Sequence, residues 1–464
     1  MKGVYIQTYG CQMNVSDSDR MEAILAGLNY EKVAQPETAD LVLINTCSIR
    51  EKAENKLSSF AYELRELKES RPEMLLGVTG CVAQQEKENI LKELPFVDIV
   101  LGPDNIDDLP MAIERLERGD ADQFLNANFG EESRVWSTKT LIKNPGPVAF
   151  VNVMKGCDHF CSYCIVPWTR GRERSRPIDD IIRDSKELVS RGVREITFLG
   201  QNINTFGKRS GESLHELFYR AHEIEGLERI RFTTSHPGDI KDELIECFKD
   251  LPKLCSNFHL PVQSGSNKIL RGMRRFYTVE EYLEKVAKLL EARPDMSFST
   301  DIIVGFPGET EEDFMATYDL LEKVRYDNVY SFVFSPRPGT PAALRSEGQI
   351  PEIEKLARLS KLQLRARTIS EEQHKKEVGK VKEILIEGPS KKNPAKYTGR
   401  TSQNVPVHVD YDPAITIPGQ LIHVDIFEGS ITNLRGRPSE NSAKNISPIP
   451  SGLSSTGSFL GQQI

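Results

Sequence analysis

Three cysteines fall within eight residues, Cys157, Cys161 and Cys164, in the string MKGCDHFCSYCIVPWTRGRERSR. Thiolates in a CxxxCxxC spacing can occupy three corners of one iron–sulfur cube and leave the fourth iron without a protein ligand. An open iron is a place where a small molecule binds and reacts. Zinc is the rival reading, but structural zinc takes four protein ligands, usually in paired spacings. No fourth cysteine lies nearby, and His159 sits inside the same tight loop, so the spacing favours iron and sulfur.

A second trio is spread along the first hundred residues: Cys11, Cys47 and Cys81. Each lies just past an apolar, β-branched run: Gly3–Thr8, Ala39–Ile44 and Met74–Val78. A fourth run, 97–101, follows. Helical patterns lie between the runs, from Asp17, over Arg50–Ser70 and over Ala83–Leu94. Strands alternating with helices predict a doubly wound parallel sheet, whose ligands gather at the carboxyl ends of the strands. Three thiols recurring at that edge predict a second site; three ordinary core thiols are the alternative.

From residue 148 the alternation restarts. Strands are expected at Ala149–Val153, Glu195–Leu199, Arg229–Thr233, Asn257–Leu260, Ser297–Val304 and Asn328–Phe334. Six βα units predict a partial α/β barrel with its active site on the loops after the strands. A charged helix over 352–376 follows. Alternating strands at 380–387, 405–409 and 421–427 then predict a small all-β barrel. One expected loop of that barrel carries Lys391, Lys392, Lys396 and Arg400 around Tyr397, a weak nucleic-acid footprint. The domain reading is thus 1–120, a linker at 121–147 with one hairpin, 148–371, 372–438 and a disordered tail at 439–464.

Bulk composition excludes other classes. The chain has 464 residues, 38% hydrophobic and 28% charged, with net charge −8. That balance argues against binding nucleic acid over the whole surface. Eight cysteines in so long a chain do not make a disulfide-stapled secreted domain. No signal-peptide pattern and no run of ~18 apolar residues is seen, so a cytoplasmic protein without membrane spans is expected.

The CxxxCxΦC string, with Tyr163 before the last cysteine, resembles the radical S-adenosylmethionine superfamily. The resemblance implies that the amino and carboxylate groups of the cofactor chelate the open iron and that cleavage yields a 5′-deoxyadenosyl radical. It places Gln201 of LGQN near the amino end of S-adenosylmethionine, and Gly305 and Pro307 of IIVGFPGE beside its adenosine; an ordinary turn is the other reading of the last two. The whole chain resembles the methylthiotransferase family through TYGCQMN, NTCSIREKA, TGCVA, RFTTSHP, HLPVQSGS and SPRPGTPA. That resemblance implies two [4Fe-4S] clusters, the second on Cys11, Cys47 and Cys81 carrying the sulfur. It also implies a C-terminal TRAM domain gripping RNA through Lys391, Lys392 and Arg400. The local strings point to the branch that methylthiolates isopentenyladenosine in the tRNA anticodon stem-loop. A low-potential donor such as flavodoxin or ferredoxin, and a monomer, go with it. Methylthiolation of a ribosomal-protein aspartate, or a non-catalytic iron–sulfur RNA sensor, are the alternatives.

The run Arg170, Arg172, Arg174 and Arg176 suits phosphate, since a guanidinium binds bidentately. It equally suits pinning the loop to carboxylates. Cys247 and Cys255 read as core thiols, and His236 and His259 as local hydrogen-bonding groups. Little is attached to Trp168.

Overall fold

Apolar runs that would be insoluble alone become strands covered on both faces. The computed structural model describes residues 1–48, 51–130, 145–390, 393 and 395–440. In its first unit, β1 (Lys2–Tyr9), β2 (Tyr30–Lys32), β3 (Leu41–Thr46), β4 (Leu75–Gly80), β5 (Ile99–Leu101) and β6 (Phe124–Asn126) form one parallel sheet in the order β2-β1-β3-β4-β5-β6. Every residue of β3 is buried, as a central strand between two helix layers requires. The strand order reverses direction between β1 and β3, the switch point at which such sheets bind ligands.

Expected and observed elements differ in four places here. The first helix starts at Gln12, not Asp17. Its early turns bury Asn14, Ser16, Asp17 and Ser18, so no apolar period announces them. The helix expected over Ala83–Leu94 is two, Cys81–Glu86 and Glu88–Glu93, broken at Lys87, whose φ is 47°. β2 was too short to leave a pattern. β6 lies in the segment expected to be linker and pairs with β5. The rest of that linker, 131–144, lies outside the described residues, as do 49–50 and the tail from 441.

The second unit begins with β7 (Val148–Asn152). A short antiparallel ribbon, β8 (Met154–Lys155) with β9 (Arg174–Ser175), then brackets the cysteine loop at its base. Next come β10 (Glu195–Leu199), β11 (Arg229–Thr233), β12 (Asn257–His259), β13 (Ser297–Val304) and β14 (Asn328–Val333). They form parallel sheets β7-β10-β11 and β12-β13-β14. Ile230 joins the two, its N–H donating to Lys253 O at 2.8 Å and its carbonyl accepting from Cys255 N at 3.0 Å. The six-stranded partial barrel is as expected, within a residue or two at each strand. Cys247 and Cys255 are buried in or beside its core.

Helix Glu352–Lys375 packs Leu362, Ala366 and Ile369 inward and leads to the third unit. This is a closed barrel of β15 (Val381–Pro389), β16 (Lys396–Thr401), β17 (Pro406–Asp410), β18 (Leu421–Gly429) and β19 (Leu434–Pro438). The expected basic loop is therefore partly strand: Lys396, Tyr397 and Arg400 all lie on β16. Gly399 lacks room for a Cβ, which would meet Leu385 O at 2.5 Å, and its polar neighbours hid the strand period. Lys391 and Lys392 lie outside the described residues.

The first and third units sit at opposite ends of the middle barrel. The carboxyl-end loops of the first sheet meet the carboxyl end of β7 through Asn152 Nδ2, which donates to Ser16 Oγ at 2.9 Å. The small barrel docks on the other end. There Arg229 and Arg231, at the start of β11, donate to the carbonyls of Arg400 (2.6 Å), Thr401 (2.6 Å) and Ser402 (2.8 Å).

Candidate metal centres

Cys11 is the N-cap of helix Gln12–Ala26, after β1; Cys47 follows β3; Cys81 opens helix Cys81–Glu86 directly after β4. β1, β3 and β4 are neighbours, so the fold brings together three thiols that are 36 and 34 residues apart in the chain. The Cys47 thiol lies in hydrogen-bonding contact with both Cys11 and Cys81. Those bonds pull the Cys11 and Cys81 thiols down, assisted by the charge of Arg170, and push Cys47 well up. Thiols in contact in this way, Cys47 and Cys81 buried and Cys11 half-buried, are a donor set for soft metal ions, and three of them fit one open iron–sulfur cube.

The edge is held by a polar net that sequence reasoning missed. Asn45 Nδ2 donates to Asn14 O at 2.8 Å and to Ser18 Oγ at 2.9 Å, and Asn14 Nδ2 donates to Asn45 Oδ1 at 3.1 Å. Gly80 lies against this net with φ 92°, and a Cβ there would meet Asn45 Oδ1 at 2.5 Å and Thr46 O at 2.7 Å. Gly80→Ala is expected to cost on the order of 1–3 kcal/mol and to displace Cys81. Reconstituted protein should then hold about half the iron of the parent; unchanged iron content would count against this role for Gly80.

The other trio lies at the carboxyl end of the middle barrel. Cys161 is buried and its Sγ accepts from Arg275 Nη1 at 3.8 Å. Ser162 anchors the loop, its N–H donating to Met273 O at 2.9 Å and its Oγ to Gly272 O at 2.9 Å. Burial pushes the Cys157 thiol up to about 12 and Cys164 further. Bare thiolates are disfavoured here, and iron that carries its own positive charge reverses that balance. The three donors on one anchored loop fit a cube with one open iron.

Gln201 follows β10, and its side-chain oxygen is buried with no hydrogen-bond partner. An orphaned acceptor there suits an ammonium group. Tyr163 packs with Ile269, Met273 and Phe306, and burial keeps its phenol neutral. Gly305 has φ 74°, and a Cβ would meet Lys355 Cγ at 2.5 Å, so its glycine is required for packing on helix Glu352–Lys375. Pro307 is buried in the same turn.

The arginine run resolves in favour of carboxylates. Arg170 pairs with Asp17 (2.8 Å), Arg172 with Asp158 (3.0 Å), Arg174 with Asp104 (2.8 Å) and Arg176 with Asp184 (2.5 Å). Two of these, Asp17 and Asp104, belong to the first unit, so the cysteine loop of the barrel is bolted to the sheet that bears the other trio. Lys155 joins them, 3.7 Å from Asp104, and burial lowers it to about 8. His236 accepts from Gly238 N at 3.2 Å and stacks on His159 with ring centroids 3.8 Å apart; His159 bonds Asp239. His259 bonds Ser299 Oγ at 3.0 Å. Both expected local roles hold.

Residues 3–102 match the uncharacterized protein family UPF0004, and residues 151–321 match the radical SAM superfamily. A tRNA-2-methylthio-N(6)-dimethylallyladenosine synthase of Myxococcus xanthus (strain DK1622) is 48% identical over 441 residues, 94% of each chain. One from Geobacter metallireducens is 47% identical over 437 residues, 94% of this chain and 98% of its own. The chain belongs to the tRNA-2-methylthio-N(6)-dimethylallyladenosine synthase family. Among solved structures, the radical S-adenosylmethionine methyltransferase TsrM from Kitasatospora setae matches with TM-score 0.56 at 14% identity, over 74% of this chain and 75% of its own. That likeness concerns the fold. In this synthase-family chain both trios lie at the carboxyl-end side of parallel sheets, and no described helix is long and apolar enough to cross a membrane.

Proposed function

We infer that the chain is a tRNA methylthiotransferase that converts N6-isopentenyladenosine beside the anticodon to its 2-methylthio derivative, using two [4Fe-4S] clusters and S-adenosylmethionine. The observation that carries this reading is the pair of three-thiol sites, on two units whose strand ends face each other across one buried ionic seam. The relatives named for the same reaction cover nearly the whole chain.

Cys157, Cys161 and Cys164 would hold the cluster that binds S-adenosylmethionine, and Cys11, Cys47 and Cys81 the one that carries sulfur. Together with S-adenosylmethionine these groups supply a carbon-centred radical, a sulfur atom and a methyl group. The chain's residues bind and orient. Gln201 receives the cofactor ammonium, Tyr163 packs beneath the loop, and the turn of Gly305 and Pro307 borders the adenosine. The Arg170–Asp17 and Arg174–Asp104 pairs set the spacing of the two sites. The target base, splayed from the anticodon loop, enters between them.

The third unit is a TRAM-like barrel at the far end of the middle barrel. Five-residue strands separate its face from the cysteine sites by roughly 17 Å, a span a stem-loop can bridge. We assign RNA backbone contact to Lys391, Lys392 and Arg400. Arg400 already pairs with Glu387 at 2.8 Å. Both side chains are half-buried but reach solvent, so a phosphate can compete with Glu387 for the guanidinium. A flavodoxin or ferredoxin as electron donor, a monomeric state and a cytoplasmic location complete the proposal.

The test is anaerobic reconstitution with reductant, S-adenosylmethionine and isopentenylated tRNA, followed by mass spectrometry of the digested RNA. A methylthio nucleoside is expected. Its absence, with modification of a ribosomal protein instead, would favour the sister reaction.

A further inference from the structure

Arg170 belongs to the barrel's cysteine loop, six residues past Cys164, yet its side chain reaches the other trio. Its Nε donates to Cys81 Sγ at 3.3 Å, and its Nη2 is 2.8 Å from Asp17. The residue is 3% exposed. Its Nη1 has no hydrogen-bond partner among the described residues. A buried guanidinium with a spare N–H is costly unless an acceptor meets it. Asp17 is itself 1% exposed, so water does not readily supply that acceptor.

The neighbourhood names the acceptor's chemistry. Arg170 feels the charges of Cys81 and Cys11 as well as Asp17. A cluster held by three thiolates is rich in anionic sulfur, both from cysteine and from sulfide, and the N–H···S bonds it receives help set its potential. Asn14 is another polar group at the thiols, and its Oδ1 accepts from Cys11 Sγ at 3.5 Å; it offers no positive charge.

We propose that Arg170 is a positioning residue of the sulfur-carrying centre, supplied by the radical unit, whose guanidinium donates to Cys81 and to a further sulfur of the cluster. This rests on the two-cluster reading above. The centre on the first unit is then completed by a side chain from the second. N–H···S donation stabilises the reduced cluster more than the oxidised one, because the reduced form carries the extra negative charge. Loss of the donor therefore lowers the midpoint potential.

The test uses the full-length chain with Cys157, Cys161 and Cys164 changed to alanine, reconstituted anaerobically, so that a single cluster is titrated by electron paramagnetic resonance. Iron analysis comes first: failure to bind a cluster at Cys11, Cys47 and Cys81 would overturn the two-cluster reading itself. With the cluster present, Arg170→Met is expected to lower the ratio of reduced to oxidised cluster at fixed potential about tenfold, a shift of ~59 mV for one electron. Arg170→Lys, which keeps a cation, should recover part of that shift. Asp17→Asn removes a nearby negative charge and leaves the donor, so its midpoint should not fall. An unmoved midpoint in Arg170→Met overturns the proposal. So does an equal fall in Asp17→Asn, which would trace the effect to the seam between units. If Arg170→Met fails to keep iron, Arg170→Gln carries the same comparison: a fall of smaller size supports the proposal and none overturns it.

Discussion

Changing any one of Cys11, Cys47 or Cys81 to alanine is expected to abolish the methylthio product while S-adenosylmethionine is still cleaved to 5′-deoxyadenosine. The two trios sit on different units, and each is anchored by its own backbone. Cys157, Cys161 and Cys164 keep the β8–β9 ribbon, the Ser162 bonds to Gly272 and Met273, and the Arg275 donor in such a variant. The loss of product should exceed a hundredfold, because two thiolates do not hold a cube that three hold open. Cleavage should stay within a few-fold of the parent. Chromatography of 5′-deoxyadenosine beside mass spectrometry of the RNA reads both. Loss of cleavage in step with product would refute the division of labour. The converse variant, Cys161→Ala, should lose both readouts.

Arg231→Ala should loosen the TRAM-like barrel from the middle barrel and cost about 3–5 kcal/mol. Arg231 is 7% exposed and joins three acceptors: Glu195 Oε1 at 2.8 Å, Ser402 O at 2.8 Å and Thr401 O at 2.6 Å. Removing it leaves Glu195, 3% exposed in its side chain, as a buried charge without its cation. Arg229 would still hold Arg400 O and Glu383, so the unit should stay folded but dock weakly. Denaturant unfolding should show the loss, and tRNA affinity should fall at least tenfold, while iron content stays at the parent level. A stability change under about 1 kcal/mol would mean that the two carbonyls and Glu195 find other partners. Arg231→Lys should not restore the parent, because an ammonium cannot span three acceptors in a planar fork.

Some of this was legible in the chain alone. A thiol trio inside eight residues is a local pattern, so its chemistry needs no tertiary information. The other trio was legible because parallel strands announce themselves as apolar runs, and the fold rule for such sheets names the edge where their ends meet. Strands β10, β11 and β13 matched residue for residue, being long runs between clear turns. β2 and β6, of three residues each, are below the length at which a period shows, and they exist because a neighbouring strand offers hydrogen bonds. Strand β16 was hidden by its own polar face and by Gly399.

Tertiary structure alone decided the rest. The sequence shows four arginines after Cys164, but a guanidinium reads phosphate and carboxylate alike. Only the fold put Asp17, Asp104, Asp158 and Asp184 within reach, and two of these lie in another unit. The starting residue of the first helix followed the same logic: Asn14 and Ser18 are buried in the net around Asn45, and Ser16 and Asp17 meet Asn152 and Arg170 of the second unit. The position of the TRAM-like barrel, opposite the cysteine sites, depends on two arginines at strand starts whose partners are backbone carbonyls, and carbonyls carry no sequence signature. What the sequence determined by itself is the donor chemistry, which is a property of residue type and short spacing. What only the structure decided is which charges face one another, because that depends on contacts between residues up to 283 apart in the chain, as in the Arg337–Glu54 pair.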